Sequence, residues 1–345
     1  MGERIRIIDI AEELGVSTAT VSNVIHGKAN KISDETVKRV QALLEEKQYI
    51  PSMAGILLAQ NDSRIVGIVI NNHEKYEDHV LEDPFIASAV NALSLELERA
   101  GYFMMIKSAK QWNDIVRFAS MWNMEGMVLI GFCEQDYKKL RESMRIPFVV
   151  YEGFFQDTER ICNLTIDNYD GGRQVGDYLR NMGHRKVLCI ADNYICMDKE
   201  RIEGCREGLK EYQMDIMQIP FHRKDRIDFY RAQLTKIKEY TAIFAASDFY
   251  AVELIRFLQD QGIHVPEEIS VVGFDNSPWC EMIQPALTTV KQDSAERARL
   301  AVTLLQQLKN GSCKELSITM PVTLVKRASV RNLQVTSEER GSEQR

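Results

Sequence analysis

The sequence predicts a small all-helical N-terminal unit, a short hinge and a two-lobed α/β core. Three observations predict it. Up to about residue 62 the chain shows short helical runs and no strand, whereas beyond it apolar β-runs alternate with amphipathic helices. That alternation comes as two consecutive series, each suited to a parallel sheet covered on both faces. Finally, 345 residues with 45% apolar and 27% charged side chains are enough for two or three packed units and too apolar to stay disordered.

In the front piece, Ile10 and Leu14 precede Gly15, and Val21, Val24 and Ile25 follow it. This spacing fits two short helices joined at a glycine, which accepts the backbone geometry of a tight turn. Ser17 is a natural N-cap for the second helix. At 100° per residue, Val21, Val24 and Ile25 face inward while Thr18, Ala19, Ser22 and Asn23 share the opposite face. Small hydroxyl and amide side chains at the start of a helix suit entry into a DNA major groove. A helical protein-interaction module fits the same spacing. A third helix, from the Ser33 cap to about Lys47, turns Val37, Val40, Leu43 and Leu44 toward the same core.

The hinge begins at Tyr49-Ile50-Pro51 and runs to Ala59. A helix this short is marginal in water, and Gly55 weakens it further. The run Ile56-Leu57-Leu58 suits a helix that pairs with its copy in a dimer and wedges an apolar side chain into a minor groove.

Strand candidates in the first series are Ile65–Ile70, Phe103–Ile106, Met127–Ile130 and Phe148–Tyr151, with helices near Ile86–Ala100, Asp114–Met121 and Tyr137–Met144. The second series has strands near Val187–Ala191, Ala242–Ala245 and Ser270–Gly273, and helices near Arg173–Met182, Glu200–Tyr212, Ile227–Tyr240 and Ala251–Gln261. Gly101, Gly183 and Gly262 stand where helices should end. Ligands of open α/β sheets sit beyond the carboxyl ends of the strands. This rule nominates Asn71, Asn72, Phe132, Glu152, Asp192 to Tyr194, Ser247, Asp248 and Asp275. Carboxylates and amides that take hydroxyls, with aromatic rings that cover an apolar sugar face, suit a small polyol. Trp279 follows Asp275 closely enough to join them.

Net charge is −7, from 43 basic and 50 acidic residues, so DNA binding must come from a local device. Through residue 60, seven bases face eight acids. Such a unit grips phosphates feebly and needs a dimer to bind at all. Seven cysteines form no CxxC pair, which fits reduced thiols in a cytosol. No signal peptide or membrane span is expected, since acids interrupt the first residues and the apolar run around Ile68–Ile70 is short. There is no P-loop, GxSxG or HExxH, and the six histidines are scattered. No catalytic residue, metal site or cofactor is expected, and the chain is not expected to be an enzyme.

The strings IRIIDIAEELGVSTATVSNVIHG, ISDETVKRV and YIPS resemble the helix-turn-helix of the lactose-repressor (LacI/GalR) family of bacterial transcription regulators. Asp167-Asn168 with Gly171-Gly172, Gly183-His184-Arg185, Ser247-Asp248, Gly273-Phe274-Asp275-Asn276, Pro285 to Val290 and Arg327-Ala328-Ser329 resemble its periplasmic-binding-protein-like (type I) core. The resemblance covers roughly residues 4–331.

It implies that Thr18 and Ala19 read bases, that Ser17, Thr20 and Ser22 contact phosphates, and that Leu58 intercalates. Asn23 stands where many relatives have Arg, and an Asn pairs more naturally with adenine. His26, Lys31, Ser33 and Tyr49 complete the DNA-facing set. In the core it implies effector contacts for Asp275, Arg201 and Phe85. The segment NNHEKYEDHVLEDP is longer and more charged than the family's usual loop, so effector identity does not carry over it.

The expected domains are 1–50 for DNA, 51–62 for the hinge, 63–162 with 291–322 for one lobe, 163–290 with 323–335 for the other, and a disordered tail 336–345 without leucine heptads. Crossings between lobes are expected near 163, 291 and 323. The implied function is a dimeric, sugar- or polyol-responsive repressor of a carbohydrate uptake or catabolic operon. It would act in the bacterial cytoplasm, nucleoid-associated when bound to operator DNA. The alternative is a cytosolic small-molecule binder with weak or lost DNA affinity.

Overall fold

A computed structural model describes residues 5–49, 63–132, 146–153 and 161–334. The hinge with Leu58, the expected helix Tyr137–Met144 and the tail lie outside the described residues. The chain divides into two compact units, Met1–Ser63 and Arg64–Arg345.

The first unit contains α1 (Ile7–Leu14), α2 (Thr18–Ile25) and α3 (Asp34–Glu46). Gly15 ends α1 at a φ of 65°, in the left-handed region that favours glycine. Ser17 caps α2 by accepting the Thr20 backbone N–H at 3.1 Å, and Ser33 accepts that of Thr36 at 3.3 Å. Ile10, Ala11, Val21, Val24, Val40 and Leu43 are buried together, with Val37, Leu44 and Tyr49 packed on them. The Arg39 guanidinium donates to the Leu14 carbonyl at 3.2 Å, so α3 is tied to the end of α1.

Among the described residues the second unit holds two six-stranded sheets. The first joins β1 (Ile65–Asn71), β2 (Phe103–Ala109), β3 (Gly126–Ile130), β4 (Phe148–Tyr151), β5 (Ile161–Ile166) and β11 (Ser317–Met320), in the order β11-β5-β4-β3-β1-β2. All its pairings are parallel. The second joins β6 (Lys186–Ala191), β7 (Gln213–Gln218), β8 (Ala242–Ala245), β9 (Ser270–Asp275), β10 (Thr288–Lys291) and β12 (Thr323–Val325), in the order β12-β10-β9-β8-β6-β7. Only β12 runs antiparallel. Each sheet reverses direction of growth beside its first strand, and that is where such sheets open a crevice for ligands.

The helices are α4 (Pro84–Arg99), α5 (Trp112–Met121), α6 (Asn168–Asn181), α7 (Cys196–Leu209), α8 (Arg223–Ile237), α9 (Asp248–Asp260), the short α10 (Trp279–Met282) and α11 (Ser294–Lys309). Helices of the second series begin three to five residues earlier than periodicity predicts; the first turns of α6 and α8 are polar and give no apolar stripe to read. Strands β5, β7, β10, β11 and β12 escape prediction. Three of them, β10 to β12, are only three or four residues long, and β7 is half polar, with Gln213, Asp215 and Gln218 interrupting its apolar residues. The expected crossing near 163 shifts to Asp167, because β5 pairs with β4 in the first sheet through Leu164 and with β11 through Ile166. The chain crosses again after Lys291 and between Met320 and Thr323.

Helices α6 and α7 touch backbone to backbone. A Cβ on Gly172 would sit 1.9 Å from the Arg201 carbonyl oxygen, and one on Gly204 would sit 1.9 Å from that of Tyr169. Gly176 and Gly208, one turn further along each helix, meet the facing backbone in the same way. This reciprocal glycine contact fixes Arg201 against the start of α6.

Candidate functional site

Two surfaces answer to the residues singled out in the sequence. On α2, Thr18, Ala19 and Asn23 are exposed and Ser22 is half-buried, opposite the buried Val21 and Val24. Ser17, Lys31 and Ser33 are exposed, while Thr20, His26 and Tyr49 are half-buried. Part of this set has structural work as well. The Ser17 and Thr20 hydroxyls lie 2.9 Å apart, and Tyr49 packs on the helical core. A short polar helix face with small side chains can meet base edges and phosphates without steric conflict.

The second surface is a cavity of about 570 Å³ in the core unit, walled by both sheets' carboxyl ends. Of the nominated residues it gathers Asn71, Phe85, Glu152, Asp192, Asn193, Arg201, Ser247, Asp275 and Trp279. Four nominees lie elsewhere, and of these Tyr194 is exposed, with its hydroxyl on Glu203. Asn72 points its amide at Asp78, 2.9 Å away, because it is Asn71 that turns inward, donating to the Gly131 carbonyl at 2.9 Å. Phe132 is buried against the Trp112 ring, with centroids 5.0 Å apart. Asp248, at the start of α9, is buried and accepts the Ser277 N–H at 2.7 Å, the Thr289 hydroxyl at 2.6 Å and the Cys280 thiol at 3.0 Å. Burial raises its carboxyl.

Glu152, Arg201 and Asp275, which line the cavity, belong to a closed ring of six side chains. The Arg201 Nε donates to Asn168 Oδ1 at 2.9 Å, and the Asn168 amide donates to Glu152 at 2.8 Å. Glu152 pairs with the Arg297 guanidinium, which donates to Gln292 at 3.2 Å. The Gln292 amide donates to Asp275 at 2.7 Å, and Asp275 faces Arg201 across 3.7 Å. Arg201 also stacks 3.8 Å from the centre of the Phe274 ring and donates to the Ala246 carbonyl at 2.7 Å. Two members, Glu152 and Asp275, sit at positive φ, 58° and 120°. Such conformations are costly for residues with a side chain, and they cluster where a site over-determines them. Burial pushes the Asp275 carboxyl well above the usual aspartate range, against the pull of Arg201.

Sequence reasoning missed the opposite wall. The segment between β1 and α4 forms a strap that lines the cavity with His73, Lys75, Tyr76, Glu77 and Asp83. It reaches residues near the second sheet: the His73 ring meets the Phe221 ring at 5.2 Å, and Glu77 pairs with His222 at 3.2 Å. From helix starts come Cys196 to Asp198 on α7, Arg226 on α8, and Phe249 and Tyr250 on α9. The charged, overlong segment signalled the strap, and extending the strand-end rule into the next helical turn would have found the rest. Among the described residues no cluster of His, Cys, Asp and Glu could hold a metal ion. No described helix is long and apolar enough to cross a membrane.

A polar-faced helical unit joined to a two-lobed ligand cleft defines a DNA-binding regulator with a small-molecule domain. Residues 6–52 match the lacI family of bacterial regulatory proteins, and residues 177–330 match a periplasmic binding protein-like domain. The chain belongs to the LacI family of transcriptional regulators. It is 26% identical to the ribose operon repressor of Haemophilus influenzae, over 94% of this chain and 98% of that one. It is 28% identical to the transcriptional regulator CelR of Thermobifida fusca, over 92% and 94%. A CelR–cellobiose complex superposes with a TM-score of 0.68 at 25% identity, covering 94% of this chain and all of that one. The lac repressor dimer bound to operator superposes at 0.82 with 23% identity, covering 95% and 100%, a likeness of fold.

Proposed function

We propose that this chain is a homodimeric transcriptional repressor of a carbohydrate uptake or catabolic operon, acting in the bacterial cytoplasm and released or recruited by a small sugar or polyol. The observation that carries the reading is the cavity between the lobes. There Arg201 and Asp275 face one another across a gap, beside the Phe85 and Trp279 rings, in a chain that also presents a helix-turn-helix. Carboxylates and guanidinium groups take hydroxyls and aromatic rings cover apolar sugar faces, which is the mixture of few polar anchors and much apolar wall that small-molecule sites use. The set for DNA is Ser17, Thr18, Ala19, Thr20, Ser22, Asn23, His26, Lys31, Ser33, Tyr49 and Leu58. That for the effector is Phe85, Arg201, Asp275 and Trp279. The domain bounds are those expected from the sequence, with the first crossing between lobes moved to Asp167.

The experiment is a mobility shift with DNA from upstream of the chain's own locus, with and without a panel of sugars. The full chain should give a salt-sensitive band that one sugar alters. Asp275→Asn should keep the band and lose the response, while Leu58→Ala should weaken the band itself. No band at low salt, with sugar binding intact, would instead favour the small-molecule binder without DNA affinity.

A further inference from the structure

The proposed effector site leaves open which kind of sugar it takes, and one side chain narrows the choice. Lys75 enters the cavity from the strap, and among the described residues its nearest carboxylate oxygen, on Asp192, stands 3.9 Å away. That exceeds hydrogen-bonding length. The neighbouring Tyr76 phenol can accept one of the three ammonium N–H groups at most. The acids around it are already engaged. Asp192 accepts the Tyr250 hydroxyl at 2.7 Å and the Asn193 amide at 2.6 Å, and Asp198 accepts that amide at 2.8 Å. Asp83 caps α4 through the backbone N–H groups of Phe85 and Ile86.

Two further features favour negative charge opposite Lys75. The first turns of α7, α8 and α9 line the cavity, and among the described residues none of the three N-cap side chains makes a cap hydrogen bond. Their N-termini therefore direct the positive ends of three helix dipoles at its contents. The Tyr151 hydroxyl, on a side chain only 1% exposed, also belongs to the cavity lining and has no hydrogen-bond partner among the described residues. It is a buried donor waiting for an acceptor. Burial raises the carboxyls of Asp83 and Asp198 as it does that of Asp275, moving all three toward their neutral form. Burial alone would pull the Lys75 ammonium down, but Tyr76, Asp192, Tyr250 and Asp198 outweigh it and hold it charged.

We propose that the effector is an acidic sugar, carrying a carboxylate or a phosphate, and that Lys75 receives the anionic group. The inference rests on the cavity being the effector site. Calorimetric titration of the full chain with matched probes tests it: glucose against glucuronate and glucose 6-phosphate, and galactose against galacturonate and galactose 1-phosphate. The acidic member of one set should bind at least about tenfold tighter than its neutral parent, as expected for a charge-assisted hydrogen bond. Whether the carboxylate or the phosphate wins identifies the group. Lys75→Gln should bring that ratio close to one while Lys75→Arg keeps most of it, with thermal unfolding of the free variants showing that both are folded. A neutral sugar that binds as tightly as its acids, or an unchanged ratio in Lys75→Gln, overturns the assignment and leaves the effector site standing. Binding of none of these probes overturns both.

Discussion

One wall of the cavity is a ring of buried side chains anchored in strand ends and helices, whereas the other is a strap of two short 3-10 turns held at its surface. In the ring, Arg297, Glu152, Asn168 and Arg201 are all at most 5% exposed, and every member has at least one hydrogen bond to another. In the strap, the Glu77–His222 pair leaves each side chain about half exposed, and Asp78 holds Asn72 and Lys110 at the surface. Buried networks specify one arrangement because a missing partner strands the rest. Exposed pairs specify little. The ring therefore supplies a fixed binding geometry, and the strap is the part free to vary with the ligand.

The hardest blow to that contrast is Arg297→Ala. It leaves Glu152 buried without its cation, and breaking a buried pair in this way costs about 3–5 kcal/mol. Urea unfolding should show a lowered midpoint, whereas replacing Arg297 and Glu152 together with methionines should restore much of the loss. A single variant within about 1 kcal/mol of the parent would mean that the ring is not the rigid wall described.

Acid offers a second, smaller perturbation through α6, whose first residue is Asn168 in the ring. Beyond its other end, His184 is buried, with its ring nitrogens 3.0 Å from the Thr241 hydroxyl and 3.1 Å from the Arg331 carbonyl. Burial lowers it from 6.5 to about 4. Between those values the unfolded chain holds a proton that the folded chain refuses, so stability falls as pH drops through the window. Above it both states are neutral and the effect vanishes. Unfolding free energies at about pH 7 and about pH 5 should differ by about 2 kcal/mol from this group, at 1.36 kcal/mol per pH unit. His184→Gln should flatten that slope; an unchanged slope would assign the acid sensitivity to other groups.

The smallest effect belongs to the strap. Glu77→Gln removes a half-exposed pair with His222 and should move the unfolding midpoint by no more than about 0.5 kcal/mol. Its mark should instead be a faster release of bound sugar in stopped-flow measurements. A large loss of stability would make the strap part of the framework and erase the contrast.

The legible parts of this molecule are those where one residue has one job. Gly15, Gly101, Gly183 and Gly262 end helices at positive φ where the sequence places them. Val21 and Val24 face the helical core as their spacing requires. Arg201 and Asp275 could be nominated from a motif, but their partners could not. Arg297 sits on α11, and Gln292 lies just past β10, so neither follows a strand end of the first lobe or carries a motif of its own. Lys75 and Tyr76 were hidden because a charged loop reads as solvated until the fold turns it inward. Asp248 misled for the opposite reason: its position beyond β8 is right, but Ser277, Cys280 and Thr289 claim its oxygens.

The glycine seam between α6 and α7 bears on how a signal could leave the cavity. With carbonyl oxygens where side chains would stand at Gly172, Gly176, Gly204 and Gly208, these helices have no compressible layer between them. Neither can roll or slide without backbone collision, because a packed interface gives way only in discrete steps. They travel as one plank. A push on Arg201 is therefore delivered undiminished to Asn168 and to the chain crossing at Asp167, where the two lobes are strung together.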